Sequence, residues 1–509
     1  MGKENELFAL VHAMRGNEKR YFKLLARQNS KNNHHNLLEL FELINGMEEY
    51  DSAIILQKCK GRTTVNDLAA ARYQLTQLIL KSLRGFYAEK TNASYFRHRL
   101  EDIGNLFQKD LLQQCQKLIQ KVRKKAELLE NQYILLELAE WESKLLLQNP
   151  PRDLEAVLLE RGAYKRNIIR QKLAEEELNV MFREVFVYSK IRFAALNVKQ
   201  RSRLAAILGH ALVRNGQDLP TAWARLLRHL ILGIYAAMNV LYLDCEGHCL
   251  AAMKILKARA DLTAEQPEMY RIVIANLLNS CLFLHKMEEF LDFLAQASTM
   301  QFRRPIDQRR LQQLIYSQEL MYCLNYGDQD RGKSLVLEIR HWMEGKMAEL
   351  EPSTIFHFLY NSTIFHFLHG NFSNSLFHLN RILNLRRSDV RRDLQNFAHL
   401  FQAVVHFEMD HFDLVEYQVR NAFRYFKLEK GGVTYEVRVL NYLQKLLKVA
   451  DPAQALPIYK ALNRDLATFL SERGTRRPPG VQELKFWVES KLAEENIGEY
   501  FRKMLATKG

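Results

Sequence analysis

The chain has 509 residues, too many for one compact core, so several domains or one elongated array are expected. Charged residues at 26% and hydrophobic residues at 48% are ordinary for a folded soluble protein, and ten prolines with twenty-one glycines are few enough to favour helix almost throughout. A net charge of +15 admits an acidic partner, a nucleic acid or an anionic surface without bearing on fold, while six scattered cysteines exclude a disulfide scaffold and point to buried thiols in a reducing compartment.

At the N-terminus, Glu4 and Glu6 precede a short apolar run, Leu7–Val11, which does not make a secretory signal. Met1-Gly2 begins like a myristoylation site, but Glu6 stands where Ser or Thr is required. Residues 1–100 read as an N-terminal helical cap domain, with helices over Asn17–Arg27, His35–Ile44, Asp51–Lys58 and Asp67–Tyr87. Gly61–Thr64 marks the turn before the last of these, Thr64 being its N-cap. Two short helices and a longer one could resemble a DNA-reading helix-turn-helix. Leu68, Tyr73, Leu75, Leu78, Ile79, Leu80 and Leu83 make the long helix too apolar to lie in a groove, so a capping bundle is expected.

Residues 101–470 read as an array of helical hairpins. Positions where a second helix approaches its first closely fall at Cys115, Ala156, Ala205, Cys249, Phe290, Gly332, Ser375, Val415 and Ala455, with a period of about 40–44 residues. All but Phe290 and Val415 are small. Pro150-Pro151, Pro220, Pro267, Pro305, Pro352 and Pro452 fall in the turns between helices, where a missing amide donor costs nothing. Leu230–Leu243 is the most apolar run, but it is shorter than a membrane span and Arg225, Arg228 and His229 flank it. A buried helix and a cytoplasmic protein without a membrane span are expected.

The clearest unit is Phe356–Leu385. Its first helix closes on His369-Gly370-Asn371-Phe372, and Phe372, Ser375, Leu376, Leu379, Ile382 and Leu383 then lie on one helical face. Gly370 suits the left-handed residue that ends a helix, and Asn371 suits an N-cap. The pattern recurs at Asp410-His411-Phe412…Val415…Val419…Ala422, at Tyr326-Gly327-Asp328…Gly332…Val336, and at Lys109-Asp110-Leu111…Cys115…Ile119…Val122. These stretches resemble the second half of a tetratricopeptide repeat (TPR), although that family's period is 34 residues, so the chain looks TPR-like. Its layout also looks like that of bacterial TPR-like proteins of similar length.

The resemblance implies an all-α fold, an α-solenoid winding as a right-handed superhelix. It also implies a concave groove lined by the first helices, where an extended peptide lies. By that resemblance Asn276, Asn279, Asn325, His357, Tyr360 and Asn361 fall at groove positions, and an Asn side chain both donates to and accepts from a peptide backbone. After a polar break at Arg473–Arg477 and Pro478-Pro479-Gly480, residues 481–509 read as a C-terminal closing helix or helix pair carrying Leu484, Trp487, Val488, Leu492 and Ile497.

Candidates for chemistry are few. Cys245, Cys249, Cys281 and His285, with His248 beside them, offer the ligand types of a structural zinc, but without the tight knuckle spacing such sites use. Buried thiols are the preferred reading, and no metal or cofactor is assigned. His366 and His369 share a helix face, but no carboxylate accompanies them and His-Glu-x-x-His is absent. No Gly-rich phosphate loop, nucleophile elbow or kinase signature occurs, so an enzyme is not expected. Arg303, Arg304, Arg309 and Arg310, and then Arg386, Arg387, Arg391 and Arg392, precede first helices and are candidate anion-binding clusters, interrupted by Glu344, Glu349 and Glu351. A non-catalytic scaffold binding a protein or peptide partner is expected. The alternative is a peptide-sensing regulator that binds nucleic acid through its N-terminal helices or these arginines.

Overall fold

The computed structural model describes residues 4–28, 34–48, 51, 54–55, 65–88, 91–190, 196–216, 219–326, 328–385, 392–428, 435–449, 451–471 and 478–506. Among them the fold is all-α, with no strand. The chain divides into two compact units, Met1–Lys172 and Leu173–Gly509.

The first unit opens with helices α1 (Glu4–Ala13), α2 (Gly16–Gln28), α3 (His34–Asn45) and α4 (Val65–Phe86). Val11, Phe22, Phe41, Ile44, Leu75 and Ile79 bury a shared core, with the Phe22 and Phe41 rings 4.5 Å apart. Leu68, Leu75, Leu78 and Ile79 are therefore spent on packing within this bundle. The expected helix over Asp51–Lys58 and the Gly61–Thr64 turn lie largely outside the described residues. Hairpin packing begins at α5 (Asn92–Gln108), whose N-cap Thr91 accepts from the Ser94 amide, so residue 100 falls inside a helix. Helices α6 (Leu112–Leu128) and α7 (Gln132–Gln148) follow, with Cys115 buried at the α5–α6 contact.

Two expected hairpin anchors fail here. Helix α8 runs from Leu154 to Tyr188 without interruption, and both Ala156 and Ala205 are exposed. The stretch holds one glycine, Gly162, and no proline, and its Leu, Ala, Glu, Lys and Arg residues are strong helix formers. Nothing in it stops the helix where a hairpin turn is needed. The division between the two units falls within α8.

The second unit continues through α9 (Val198–Gly209) and the one-turn α10 (Ala211–Arg214). Seven consecutive hairpins follow. They pair α11 (Ala222–Met238) with α12 (Tyr242–Ala258), then, after the short α13 (Ala260–Glu265), α14 (Pro267–Phe283) with α15 (Met287–Thr299), and α16 (Pro305–Tyr326) with α17 (Gln329–Glu344). Helices α18 (Pro352–Leu368) and α19 (Phe372–Asn384), α20 (Arg392–Glu408) and α21 (Phe412–Leu428), α22 (Tyr435–Leu446) and α23 (Pro452–Ser471), and α24 (Val481–Leu492) and α25 (Ile497–Ala506) form the rest. Each second helix packs on the first helix of the next hairpin, and from α11 to α22 the first helices also touch in succession.

Local chemistry explains the punctuation. Pro267, Pro305, Pro352 and Pro452 open their helices, where no amide is needed. Five of the seven hairpin tips take one left-handed residue each among the described residues, at Val240, His285, Gly370, Asp410 and Glu494. Val240 is the strained member, a β-branched residue at φ 65°. Small residues let helices close up: a Cβ on Gly332 would stand 2.2 Å from the Phe365 ring, and the buried Ser375 hydroxyl donates to the Thr363 carbonyl at 3.2 Å. Phe290 and Val415 are fully buried despite their size, so close approach is not uniform along the array.

Candidate functional site: the first-helix face

The expected groove residues separate into two regions of the second unit. In the first, Asn276 lies on α14 beside Glu268, Arg271, Ile272 and Ala275, which are spaced to share one helical face. These residues wall a cavity of about 390 Å³ with Ile234, Ala237 and Met238 from α11, Leu314 from α16, and Phe186, Ser189 and Lys190 at and after the end of α8. Three successive first helices thus contribute to one polar-rimmed, apolar-floored space. The Asn276 amide nitrogen donates to the Ile272 carbonyl at 2.8 Å, which fixes the side chain and leaves its oxygen as the acceptor.

Arg271 is the unusual member. Its Nε is buried without a hydrogen-bond partner, and burial lowers its pKa, with Arg310 and Arg304 pushing the same way and Glu268 and Asp307 opposing. Lys190 lies over the Phe186 ring at 4.2 Å. Asn279 is elsewhere engaged, its oxygen accepting from Gln318 Nε2 at 3.2 Å, and Asn325 donates to the carbonyl one turn back.

The second region is occupied by the chain itself. The Gly480 amide donates to the Tyr360 hydroxyl at 3.2 Å, and the Tyr435 hydroxyl donates to the Pro479 carbonyl at 2.6 Å. Trp487 Nε1 and Lys491 Nζ both donate to the Glu408 carboxylate, at 2.8 and 2.9 Å. Gly498 packs on the His369 backbone, and α24 and α25 both contact α18. His357 and Asn361 bond to each other at 3.0 Å, and Asn361 is buried. Helices expected to close an end therefore lie across the expected groove at α18 and α20. The rest of that face holds an open cavity of about 650 Å³ at the hairpin tips, lined by Lys333, His366, His369, Asn371, Glu408 and Asp410 among others.

The arginine clusters do not assemble as the spacing suggests. Arg304 forks onto Asp307 at 2.5 and 3.0 Å, and Arg309 pairs with Glu349, the carboxylate that interrupts the stripe. Arg303 and Arg392 also interact within the chain, and Arg386, Arg387 and Arg391 lie outside the described residues. Of the first cluster, Arg310 and then Arg304 act on the cavity, through their repulsion of Arg271.

Cys245, Cys249 and Cys281 are buried free thiols, with the Cys245 contact and then burial holding the Cys249 thiol far above its usual range. His248 turns to His229 and His285 to Tyr326, so neither joins those thiols. Among the described residues no three His, Cys, Asp or Glu side chains group to hold a metal ion, and no helix is long and apolar enough to cross a membrane.

Sequence reasoning missed Arg271, Lys190 and Met238. The face shared by Glu268, Arg271, Ile272, Ala275 and Asn276 was legible as an i, i+3, i+4, i+7, i+8 row. The missing counter-ion was not. Compared with known proteins, the chain matches no family model, no curated protein and no solved structure.

Proposed function

We propose that the protein is a non-catalytic, TPR-like interaction scaffold that holds an extended protein or peptide segment on its first helices, at the cavity of α11, α14 and α16. The observation that carries this reading is the cavity itself. Three consecutive first helices supply an apolar floor through Ile234, Met238 and Leu314 and a polar wall through Asn276 and Arg271, which Lys190 after α8 extends. An apolar cleft with a few fixed polar groups is the usual form of a binding site, and an Asn held by its own backbone is suited to an extended chain's amide. The small-residue contacts and left-handed hairpin tips support a TPR-like solenoid as its frame. The C-terminal hairpin over α18 and α20 directs the partner to the earlier hairpins.

Nucleic-acid binding has less support. Leu68, Leu75, Leu78 and Ile79 of α4 are buried in its own bundle while Tyr73 and Leu80 are exposed, and Arg304 and Arg309 are neutralised within the chain.

The test is affinity capture from native lysate, with and without nuclease, using the full chain and a Met238→Glu, Asn276→Ala variant. A protein partner that survives nuclease and is lost with the variant supports the reading. Recovery of nucleic acid, with partners lost after nuclease, overturns it.

A further inference from the structure

Several cations on this unit meet carboxylates. Arg304 meets Asp307, Arg309 meets Glu349, Arg331 meets Glu319 and Glu338, and Lys491 meets Glu408. The cations of the α11–α14–α16 cavity are among those that do not. Arg271 and Lys190 line it, and neither they nor the adjacent Arg310 have an ion-pair partner among the described residues. Glu268 is the one carboxylate on the lining. The Arg271 Nε is shut off from solvent and bonds nothing. A buried donor left unbonded costs free energy that a bound acceptor recovers.

We propose that this cavity takes the side-chain carboxylate of an acidic residue in an extended peptide, on Arg271 and Lys190, while a neighbouring apolar side chain seats against Met238 and Leu314. The inference rests on the peptide-binding reading above and adds the chemistry of the partner. A guanidinium offers a planar fork of donors that fits both carboxylate oxygens, which a point-charge ammonium does not. The apolar floor excludes water, and the lower local dielectric strengthens the pair. A space of about 390 Å³ holds one or two residues, which suits an acidic–apolar pair. A nucleic-acid strand would instead call for a longer run of unpaired cations with exposed aromatic faces.

The test uses the full chain. A displayed library of random dodecapeptides is panned on the wild type and on Arg271→Gln, and the consensus is then synthesised in three forms: free terminus, C-terminal amide, and Glu replaced by Gln. Fluorescence anisotropy should show that replacing Glu weakens binding to the wild type by about tenfold or more, whereas amidation does not. Arg271→Gln should remove the preference for the acid while apolar-directed binding persists, and Lys190→Gln should weaken it less. An unchanged melting temperature shows that the variants are folded.

Enrichment of peptides without an acidic residue, or an Arg271→Gln protein that keeps the acid preference, overturns this inference and leaves peptide binding standing. Affinity that follows the free terminus overturns the side-chain assignment. Failure to enrich any peptide overturns both readings.

Discussion

The Tyr360 hydroxyl on α18 accepts a hydrogen bond from the Gly480 amide at 3.2 Å, joining positions 120 residues apart. Gly480 sits at φ 85°, and a Cβ there would stand 2.5 Å from the Phe401 ring and 2.6 Å from Phe397. The closing hairpin is thus admitted only because residue 480 lacks a side chain. Gly480→Ala should cost about 2 kcal/mol or more, from left-handed strain and overpacking together. Tyr360→Phe should cost about 1 kcal/mol, for one hydrogen bond. Hydrogen exchange of α24 and α25 checks both, and protection unchanged from wild type in Gly480→Ala would contradict the docking described.

Gly332 lets α17 close on Phe365 of α18, with the missing Cβ 2.2 Å from a ring carbon. Gly332→Ala should destabilise by about 1–3 kcal/mol. Adding Phe365→Leu should recover part of that loss, because the two positions share one space. Urea unfolding of the two single variants and the double variant measures the coupling, and strict additivity would exclude the contact as its cause.

His366 and His378 stack at 5.5 Å between α18 and α19, both buried. Burial lowers His366 to about 4, with His369 and Lys333 adding repulsion. Burial lowers His378 to about 3, with His366, Arg381 and Arg340 adding theirs. Below the ordinary value near 6.5 the unfolded chain binds protons that these rings refuse, so stability rises with pH across that window. Their contribution is complete above about 6.5 and is lost as pH falls toward about 4 for His366 and about 3 for His378, at up to about 1.4 kcal/mol per pH unit for each ring. Since His378 Nδ1 is buried without a partner, His378→Phe should change stability little at pH 7 and raise it at pH 5. Chemical denaturation at the two pH values decides the matter.

Glu142 on α7 bridges Arg123 of α6 and Arg161 of α8, the latter at 2.6 Å, with its own side chain largely buried. Removing the shared anion leaves two guanidiniums facing each other. Glu142→Ala should cost about 2–4 kcal/mol in the Met1–Lys172 unit. An effect below about 0.5 kcal/mol would place the triad among surface ion pairs of little worth.

Arg271 should show the opposite sign. Its unbonded, buried Nε is a liability in the free protein, so Arg271→Met should raise stability by about 0.5–1 kcal/mol, read as a higher melting temperature. A stabilised protein that no longer binds acidic peptide would show a residue kept at a cost in folding.

The helical class and the hairpin tips were legible in the sequence by itself. The helix starts at Pro267, Pro305, Pro352 and Pro452 and the left-handed residues at Gly370 and Asp410 are properties of the local backbone, where proline, glycine and aspartate restrict or permit a few dihedrals. The anchors at Ala156 and Ala205 misled because a small residue is only compatible with close approach. Whether a second helix arrives depends on a turn that α8 lacks.

Asn276 and Arg310 were likewise legible as polar residues in suitable places, whereas Arg271 was not. A cation's freedom depends on carboxylates brought by other elements: Glu349 reaches Arg309 and Glu408 reaches Lys491 across 40 and 83 residues, whereas no group among the described residues bonds the Arg271 Nε. Tertiary structure alone decided that the C-terminal hairpin lies over α18 and α20, because that contact joins Gly480 to Tyr360, Phe397 and Phe401. Periodicity reports which face of a helix is apolar. It carries no record of which distant helix covers that face, since every apolar face gains by burial and only shape and polar matching choose among partners.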